Sequence, residues 1–124
     1  MMEKKCRVLL VDDEEEFVRT LAERLELRGL MTRVALDGIE AMDLLDQSDV
    51  DVVVLDVRMP GMSGLDVLRQ IKSIKPDLPV ILLTGHGDTK DGIEGMRLGA
   101  FDYLMKPLDI DTLMEKIFEA TQTS

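Results

Sequence analysis

The chain has 124 residues, of which 45% are hydrophobic and only 3% aromatic, and this suits one small domain with an aliphatic core. Its formal net charge of −10, from 25 acidic and 15 basic residues, argues against direct binding to nucleic acid or to an anionic membrane. No apolar run reaches membrane-spanning length, and the run after the basic start is too short for a signal peptide. We therefore expect a cytoplasmic protein in which the single cysteine, Cys6, is a small, partly buried hydrophobic residue.

The hydrophobic periodicity predicts strands and helices in strict alternation. The predicted strands, in chain order, are Val8–Val11, Thr32–Leu36, Val50–Asp56, Val80–Leu83 and Phe101–Met105. The predicted helices that follow them are Glu15–Arg28, a helix from the cap Asp37 to about Asp46, a helix from Ser63 that stops before Pro76, Asp88–Leu98, and Asp109–Thr121. Five strand–helix units of this size favour a doubly wound α/β fold with a parallel sheet and helices on both faces.

Local signals refine these elements. Asp37 with Glu40, and Ser63 with Asp66, have the spacing of capping boxes. The predicted strand at Thr32–Leu36 is less apolar than the others, so we expect it at an edge of the sheet. Residues of the third helix predicted to be buried are Leu65, Leu68, Ile71 and Ile74; the last helix carries its apolar stripe at Ile110, Leu113, Met114, Ile117 and Phe118.

The fourth helix is unusual because Gly92 and Gly95 lie inside it. Each interior glycine costs about 1 kcal/mol of helix stability relative to alanine. Two interpretations remain open at this stage. Either the glycines permit close packing, or the helix is loosely held and easily shifted.

Polar side chains follow four of the predicted strands at the points where those strands end. They are Asp12 and Asp13, Asp56, Thr84 and Lys106. The carboxyl ends of parallel strands meet at one edge of the sheet, where ligands bind in open α/β folds. Three acids, one hydroxyl and one ammonium are suited to a divalent cation and a phosphoryl group. An aspartate directly after a buried strand, as at Asp56, is a costly place for a charge that has no use.

These residues and their frame resemble the receiver domain of bacterial two-component response regulators. The resemblance covers essentially the whole chain, and it rests on the strand-end residues just named together with the frame 56–64, Thr84-Gly85 and Lys106-Pro107. It implies the flavodoxin-like strand order 2-1-3-4-5, as in the chemotaxis regulator of this family. The stretch 99–109 is similar to receivers of the nitrogen-regulation subfamily.

The resemblance implies a role for each site residue. Asp13, Asp56 and the backbone carbonyl of Arg58 would ligate Mg²⁺, and Asp12 would act largely through a bound water. Asp56 would be the nucleophile that takes a phosphoryl group from a phosphohistidine, while Lys106 and Thr84 would each bind a phosphoryl oxygen. Water would later remove the phosphoryl group.

The resemblance also implies a switch. Thr84 would move toward the phosphoryl group, and Tyr103 would turn into the vacated space and reshape the face formed by the fourth helix, the fifth strand and the fifth helix. The family commonly has a cis bond at the position of Lys106–Pro107. Arg58 and His86 match positions that tune dephosphorylation in the family, and the other interpretation of His86 is an idle loop residue.

The same residues admit other readings. Asp12 and Asp13 could cap the first helix, Lys106 could be a solvated lysine, and Tyr103 could be a buried structural residue. A phosphatase of the haloacid-dehalogenase type would need an acid two residues after the nucleophile, where this chain has Arg58. A flavin-binding flavodoxin would need a hydroxyl- and glycine-rich phosphate loop after the first strand, where this chain has an acidic run that would repel a phosphate. A docking-only pseudo-receiver usually loses a pocket residue, and none is lost here.

The expected partners follow from the resemblance. They are a sensor histidine kinase or phosphotransfer protein and a downstream output protein or domain, with a homodimer possible on activation. We expect residues 1–124 to form a single receiver domain. The sequence leaves open whether this domain acts alone or belongs to a longer regulator.

Overall fold

A computed structural model of the protein describes residues 5–85 and 87–122. Within these ranges five strands and five helices alternate along the chain. The strands are β1 (Arg7–Val11), β2 (Met31–Ala35), β3 (Val52–Asp56), β4 (Val80–Thr84) and β5 (Asp102–Met105). The helices are α1 (Glu15–Leu27), α2 (Gly38–Gln47), α3 (Gly64–Ile74), α4 (Thr89–Arg97) and α5 (Ile110–Gln122).

The strands form one parallel sheet in the order β2-β1-β3-β4-β5. This confirms the predicted fold class and strand order, and it confirms that the less apolar strand lies at an edge. The three inner strands are almost wholly buried, because helices cover both faces of the sheet. Each strand therefore contributes side chains to two hydrophobic cores, one on each face of the sheet. Leu9 and Val11 pack on the side of α2, α3 and α4, and Val8 and Leu10 pack on the side of α1 and α5.

The helix starts agree with the capping signals in the sequence. Asp37 accepts a hydrogen bond from the Glu40 backbone N–H, and the Glu40 side chain accepts one from the Leu36 N–H. Ser63 caps α3 by accepting from the Asp66 N–H at 3.3 Å. The reciprocal hydrogen bond, from the Ser63 N–H to the Asp66 side chain, is absent among the described contacts. The Asp66 carboxylate accepts from the Arg69 side chain instead.

Two apolar residues lie outside the core that the periodicity predicts. Ile74 was predicted to be buried with Leu68 and Ile71, but it is 56% exposed. It is the last residue of α3, and Leu78 from the loop that follows completes this end of the core. Phe118 continues the apolar pattern of α5 and is 65% exposed. Cys6 is partly buried against the core on the side of α1 and α5, as predicted.

The glycines of α4 permit close packing, which decides between the two interpretations of this helix. Gly92 and Gly95 are both buried. A methyl group on Gly95 would lie 2.0 Å from a Leu82 methyl carbon. One on Gly92 would lie 2.6 Å from the Tyr103 ring. The helix backbone therefore rests directly on β4 and β5.

Candidate functional site

The predicted site residues converge at the carboxyl edge of the sheet. Asp12 follows β1 directly, Asp56 ends β3, Thr84 ends β4, and Lys106 follows β5. The strand register aligns Asp56 with Leu83 and thus sets it beside Thr84. A tight approach of α3 supports this edge. Gly64 donates its N–H to the Val57 carbonyl, and a methyl group on Gly64 would lie 2.2 Å from the Asp56 carbonyl oxygen.

Three carboxylates form a compact acidic cluster. Asp12, Asp13 and Asp56 each offer one oxygen, and these oxygens lie within 4.8 Å of one another. Asp12 and Asp56 are only 1% and 5% exposed, whereas Asp13 faces solvent. Asp12 accepts a hydrogen bond from the Glu14 N–H at 2.9 Å. The residue that precedes α1 is Glu14, and its side chain does not cap the helix. The helix-cap reading of the aspartate pair is thereby disfavoured.

The Lys106 ammonium lies among three acids. Its Nζ is 2.9 Å from Asp12, 2.7 Å from Glu14 and 3.5 Å from Asp56. The Phe17 ring lies beneath it, with the ring centroid 4.5 Å from Nζ. Lys106 is therefore a partly buried ion-pair partner and not a solvated lysine. The Lys106–Pro107 bond is cis, as predicted.

The sequence pattern did not identify Glu14 as part of the site. It belongs to an acidic run whose evident property is that it would repel a phosphate on that loop. Its contact with Lys106 joins residues 92 positions apart. No spacing rule within one strand–helix unit predicts such a contact.

Burial and mutual repulsion shift the ionisation of the cluster. Burial, with the neighbouring charge of Asp12, raises the pKa of Asp56 to about 6. Burial also raises the pKa of Asp12, against the hydrogen bonds from Lys106 and Glu14. Burial would by itself lower the pKa of Lys106, but its hydrogen bonds to Glu14 and Asp12 prevail and raise it. Lys106 thus stays charged, and the protein without a cation carries more acid at this edge than the single ammonium neutralises.

The donor set fits a small, hard divalent cation. All the candidate ligand atoms are oxygens, which Mg²⁺ prefers, and the cluster contains no histidine or cysteine that would favour zinc. The raised pKa of Asp56 has the same implication, because a cation would restore the ionised form that burial disfavours.

Thr84 ends β4 and Tyr103 lies within β5, and α4 packs against both of these strands. Thr84 is 1% exposed, and its hydroxyl donates to the Leu104 carbonyl at 3.4 Å. This bond is long and weak. The Tyr103 ring is partly buried and packs onto Gly92 of α4.

The Arg58 side chain turns away from the acidic cluster. Its guanidinium is 2.7 Å from Asp88 and 3.8 Å from Asp91, so it links the loop after β3 to the start of α4. The prediction for His86 lies outside the described residues.

Such a sheet, with a buried aspartate at the end of β3 and an ion-paired lysine after β5, defines a receiver-type α/β domain. Comparison with known proteins identifies the family. The response regulator receiver domain profile matches residues 8–118. The chain belongs to this family, and it is a receiver domain of two-component response regulators, a phosphorylation-activated signalling switch.

Individual relatives agree with this assignment. The regulatory protein AtoC of Escherichia coli K12 is 40% identical over 107 residues, which cover 86% of this chain and 23% of AtoC. A receiver domain protein from Clostridium thermocellum has a similar structure, with a TM-score of 0.90, 37% identity and coverage of 94% of both chains. The receiver domain of NtrX from Brucella abortus gives a TM-score of 0.91 at 34% identity, covering 94% of this chain and 99% of that one.

Membership in the receiver family decides against the phosphatase and flavin-binding alternatives. The chain spans between about a quarter and a half of the length of the curated relatives it matches. Among the described residues, no helix is both long enough and apolar enough to cross a membrane.

Proposed function

We propose that Asp56 accepts a phosphoryl group from a phosphohistidine of a sensor kinase or phosphotransfer protein. An Asp56 carboxylate oxygen attacks the phosphorus and forms a P–O bond as the P–N bond breaks. The leaving imidazole nitrogen keeps the electron pair and binds a proton from solvent. The observation that carries this proposal is the convergence of Asp56 with two further carboxylates and the Lys106 ammonium at one sheet edge.

Phosphoryl transfer requires mostly positioning and charge neutralisation. Lys106 pairs with one phosphoryl oxygen, and its 3.5 Å distance from Asp56 suits this role. The Thr84 hydroxyl donates to another oxygen. Its present bond to the Leu104 carbonyl is long enough to be exchanged at little cost.

Asp13, Asp56 and the Arg58 carbonyl are proposed to hold Mg²⁺ directly, with Asp12 acting largely through a water. When bound, the ion supplies positive charge for the acidic cluster and for a phosphoryl oxygen. The buried Asp12 carboxylate keeps its place through the Glu14 N–H and Lys106. The domain would catalyse only its own phosphorylation and the later hydrolysis of the acyl phosphate.

The signal is proposed to leave through α4, β5 and α5. Movement of Thr84 toward the phosphoryl group lets the Tyr103 ring shift, and that ring lies directly against Gly92 of α4. The reshaped face would bind an output protein or domain, or a second copy of the chain. Since the chain has a net charge of −10, we do not expect this cytoplasmic domain itself to bind nucleic acid or membrane.

The test is exposure to acetyl phosphate with and without Mg²⁺, followed by intact-mass measurement. Wild type should gain one labile phosphate only when Mg²⁺ is present. Asp56→Asn should gain none, and Asp77→Asn, a matched change at an exposed loop aspartate, should behave as wild type. A stable adduct, or equal labelling of Asp56→Asn, would exclude the proposed chemistry.

A further inference from the structure

Glu14 is the nearest acid to the lysine that the phosphoryl group must use. Its Oε1 lies 2.7 Å from the Lys106 Nζ, whereas Asp12 lies at 2.9 Å and Asp56 at 3.5 Å. The Phe17 ring covers another side of the ammonium. In the unphosphorylated protein Lys106 is therefore held closer to Glu14 than to the phosphoacceptor.

This arrangement sets up a competition for the ammonium. A lysine ammonium has three N–H donors, and two of them are engaged by Glu14 and Asp12. A phosphoryl oxygen that accepts from the third N–H binds the same nitrogen as the Glu14 carboxylate. The two groups are therefore close neighbours. The Glu14 carboxylate and the incoming phosphoryl group carry charges of the same sign, so they repel each other across the shared lysine.

The Glu14 carboxylate can leave its ion pair with Lys106 more readily than the Asp12 carboxylate can. The Glu14 side chain is 62% exposed, whereas the Asp12 side chain is 2% exposed. An exposed carboxylate regains its hydration when it turns into solvent, so its loss from the ion pair has a low cost. The Glu14 backbone stays fixed meanwhile, because its N–H donates to Asp12.

We propose that Glu14 is a positioning residue that holds Lys106 in the unphosphorylated state and competes with the phosphodonor, thereby slowing phosphorylation of Asp56. The inference rests on the proposed function of Asp56 and Lys106. Glu14 acts through Lys106 and takes no part in bond making. A carboxylate here lowers the rate at which small anionic phosphodonors label the domain.

The test compares substitutions that separate the contact from the charge. Glu14→Gln keeps the side-chain length and removes the charge. Its second-order rate constant for phosphorylation by acetyl phosphate should rise about 1.4- to 5-fold, which corresponds to the 0.2–1 kcal/mol that exposed ion pairs typically contribute. Glu14→Asp keeps the charge but is one methylene too short to reach Lys106, so it should show a rise similar to that of Glu14→Gln.

Glu16→Gln is the matched control, because it removes one charge from an exposed residue of the same acidic run. It should label at the wild-type rate. A rise in Glu16→Gln equal to that in Glu14→Gln would assign the effect to net charge and overturn the inference. A wild-type rate in Glu14→Asp, or no rise in Glu14→Gln, would overturn it as well.

A second readout needs no phosphorylation. The NMR signal of the Lys106 ammonium in the unphosphorylated protein should shift in Glu14→Gln and in Glu14→Asp but not in Glu16→Gln; an unchanged signal in the two Glu14 variants would contradict the contact. The rate data also separate the two proposals. A labelled wild type with an unchanged Glu14→Gln rate overturns only the role of Glu14, whereas failure to label any variant overturns the proposed function and this inference with it.

Discussion

The ionisation of Asp56 predicts an unusual effect of a single substitution on stability. Its pKa is raised to about 6 by burial and by Asp12, against about 3.9 in an unfolded chain. A shift of that size corresponds to roughly 2–3 kcal/mol, at about 1.4 kcal/mol per pKa unit. Asp56→Asn removes the buried charge, so in the absence of Mg²⁺ it should raise the free energy of unfolding at pH 7.5 by about that amount.

The direction in which the stability changes with pH depends on whether the folded or the unfolded state binds the Asp56 proton more tightly. Between about pH 4 and pH 6 the folded protein keeps the Asp56 proton that the unfolded chain has lost, so wild-type stability falls as the pH rises through this window. The advantage of Asp56→Asn should therefore be small at pH 4 and nearly complete above pH 6. Only the wild type should gain substantially from added Mg²⁺, because ligand binding stabilises the folded state.

Urea unfolding followed by circular dichroism, with EDTA and then with Mg²⁺, measures these differences. At pH 7.5 the midpoint of metal-free Asp56→Asn should lie about 1 M urea above that of wild type, for an m value of roughly 2 kcal/mol/M. Asp77→Asn should match wild type under all conditions. If Asp56→Asn is no more stable than wild type at pH 7.5, or if its advantage is the same at pH 4, burial of the ionised Asp56 carboxylate does not lower the stability of the metal-free protein.

Three further predictions concern the site and α4. Mg²⁺ affinity measured by calorimetry should fall as the pH drops below about 6, because Asp56 must then lose a proton to bind the ion; a pH-independent affinity would contradict this. Gly92→Ala should lower the free energy of unfolding by about 1–3 kcal/mol, because the added methyl group overpacks against the Tyr103 ring. In a Tyr103→Ala background the same substitution should raise the free energy of unfolding by about 1 kcal/mol, because only the gain in helix propensity remains. The same sign in both backgrounds would refute the contact. Arg58→Ala should speed amide hydrogen exchange in the first turn of α4, because the ion pair with Asp88 is lost. The free energy of unfolding should change by less than about 1 kcal/mol, because this arginine is largely exposed. Unchanged exchange would show that the ion pair does not hold the helix.

The elements and the strand-end residues could be predicted from the sequence because their signals are local. A continuous apolar run bounded by a polar residue specifies both a buried strand and the side chain at its end, as for Val52–Asp56. Capping residues act within three or four positions, so the sequence predicts directly that Asp37 caps α2. Parallel pairing then brings the strand ends together without any further information.

The features that were missed depend on contacts between distant residues or on where an element ends. Glu14 forms an ion pair with Lys106, and Arg58 forms one with Asp88, each between distant parts of the chain. The packing of Gly92 on Tyr103 likewise depends on how closely α4 approaches β5. Ile74 follows the apolar period of α3 but lies at its last residue, where Leu78 completes the core instead. Periodicity gives the face of a helix but not where the core beneath it stops.

The central claim is that the phosphoryl group is carried by Asp56 and by no other acid of the cluster. Reduction of the freshly phosphorylated protein with borohydride, followed by peptide mapping, converts an aspartyl phosphate to homoserine and locates it directly. We expect homoserine at position 56 alone, formed only after incubation with both phosphodonor and Mg²⁺. Homoserine at position 12 or 13, or spread over several acids, would contradict the claim.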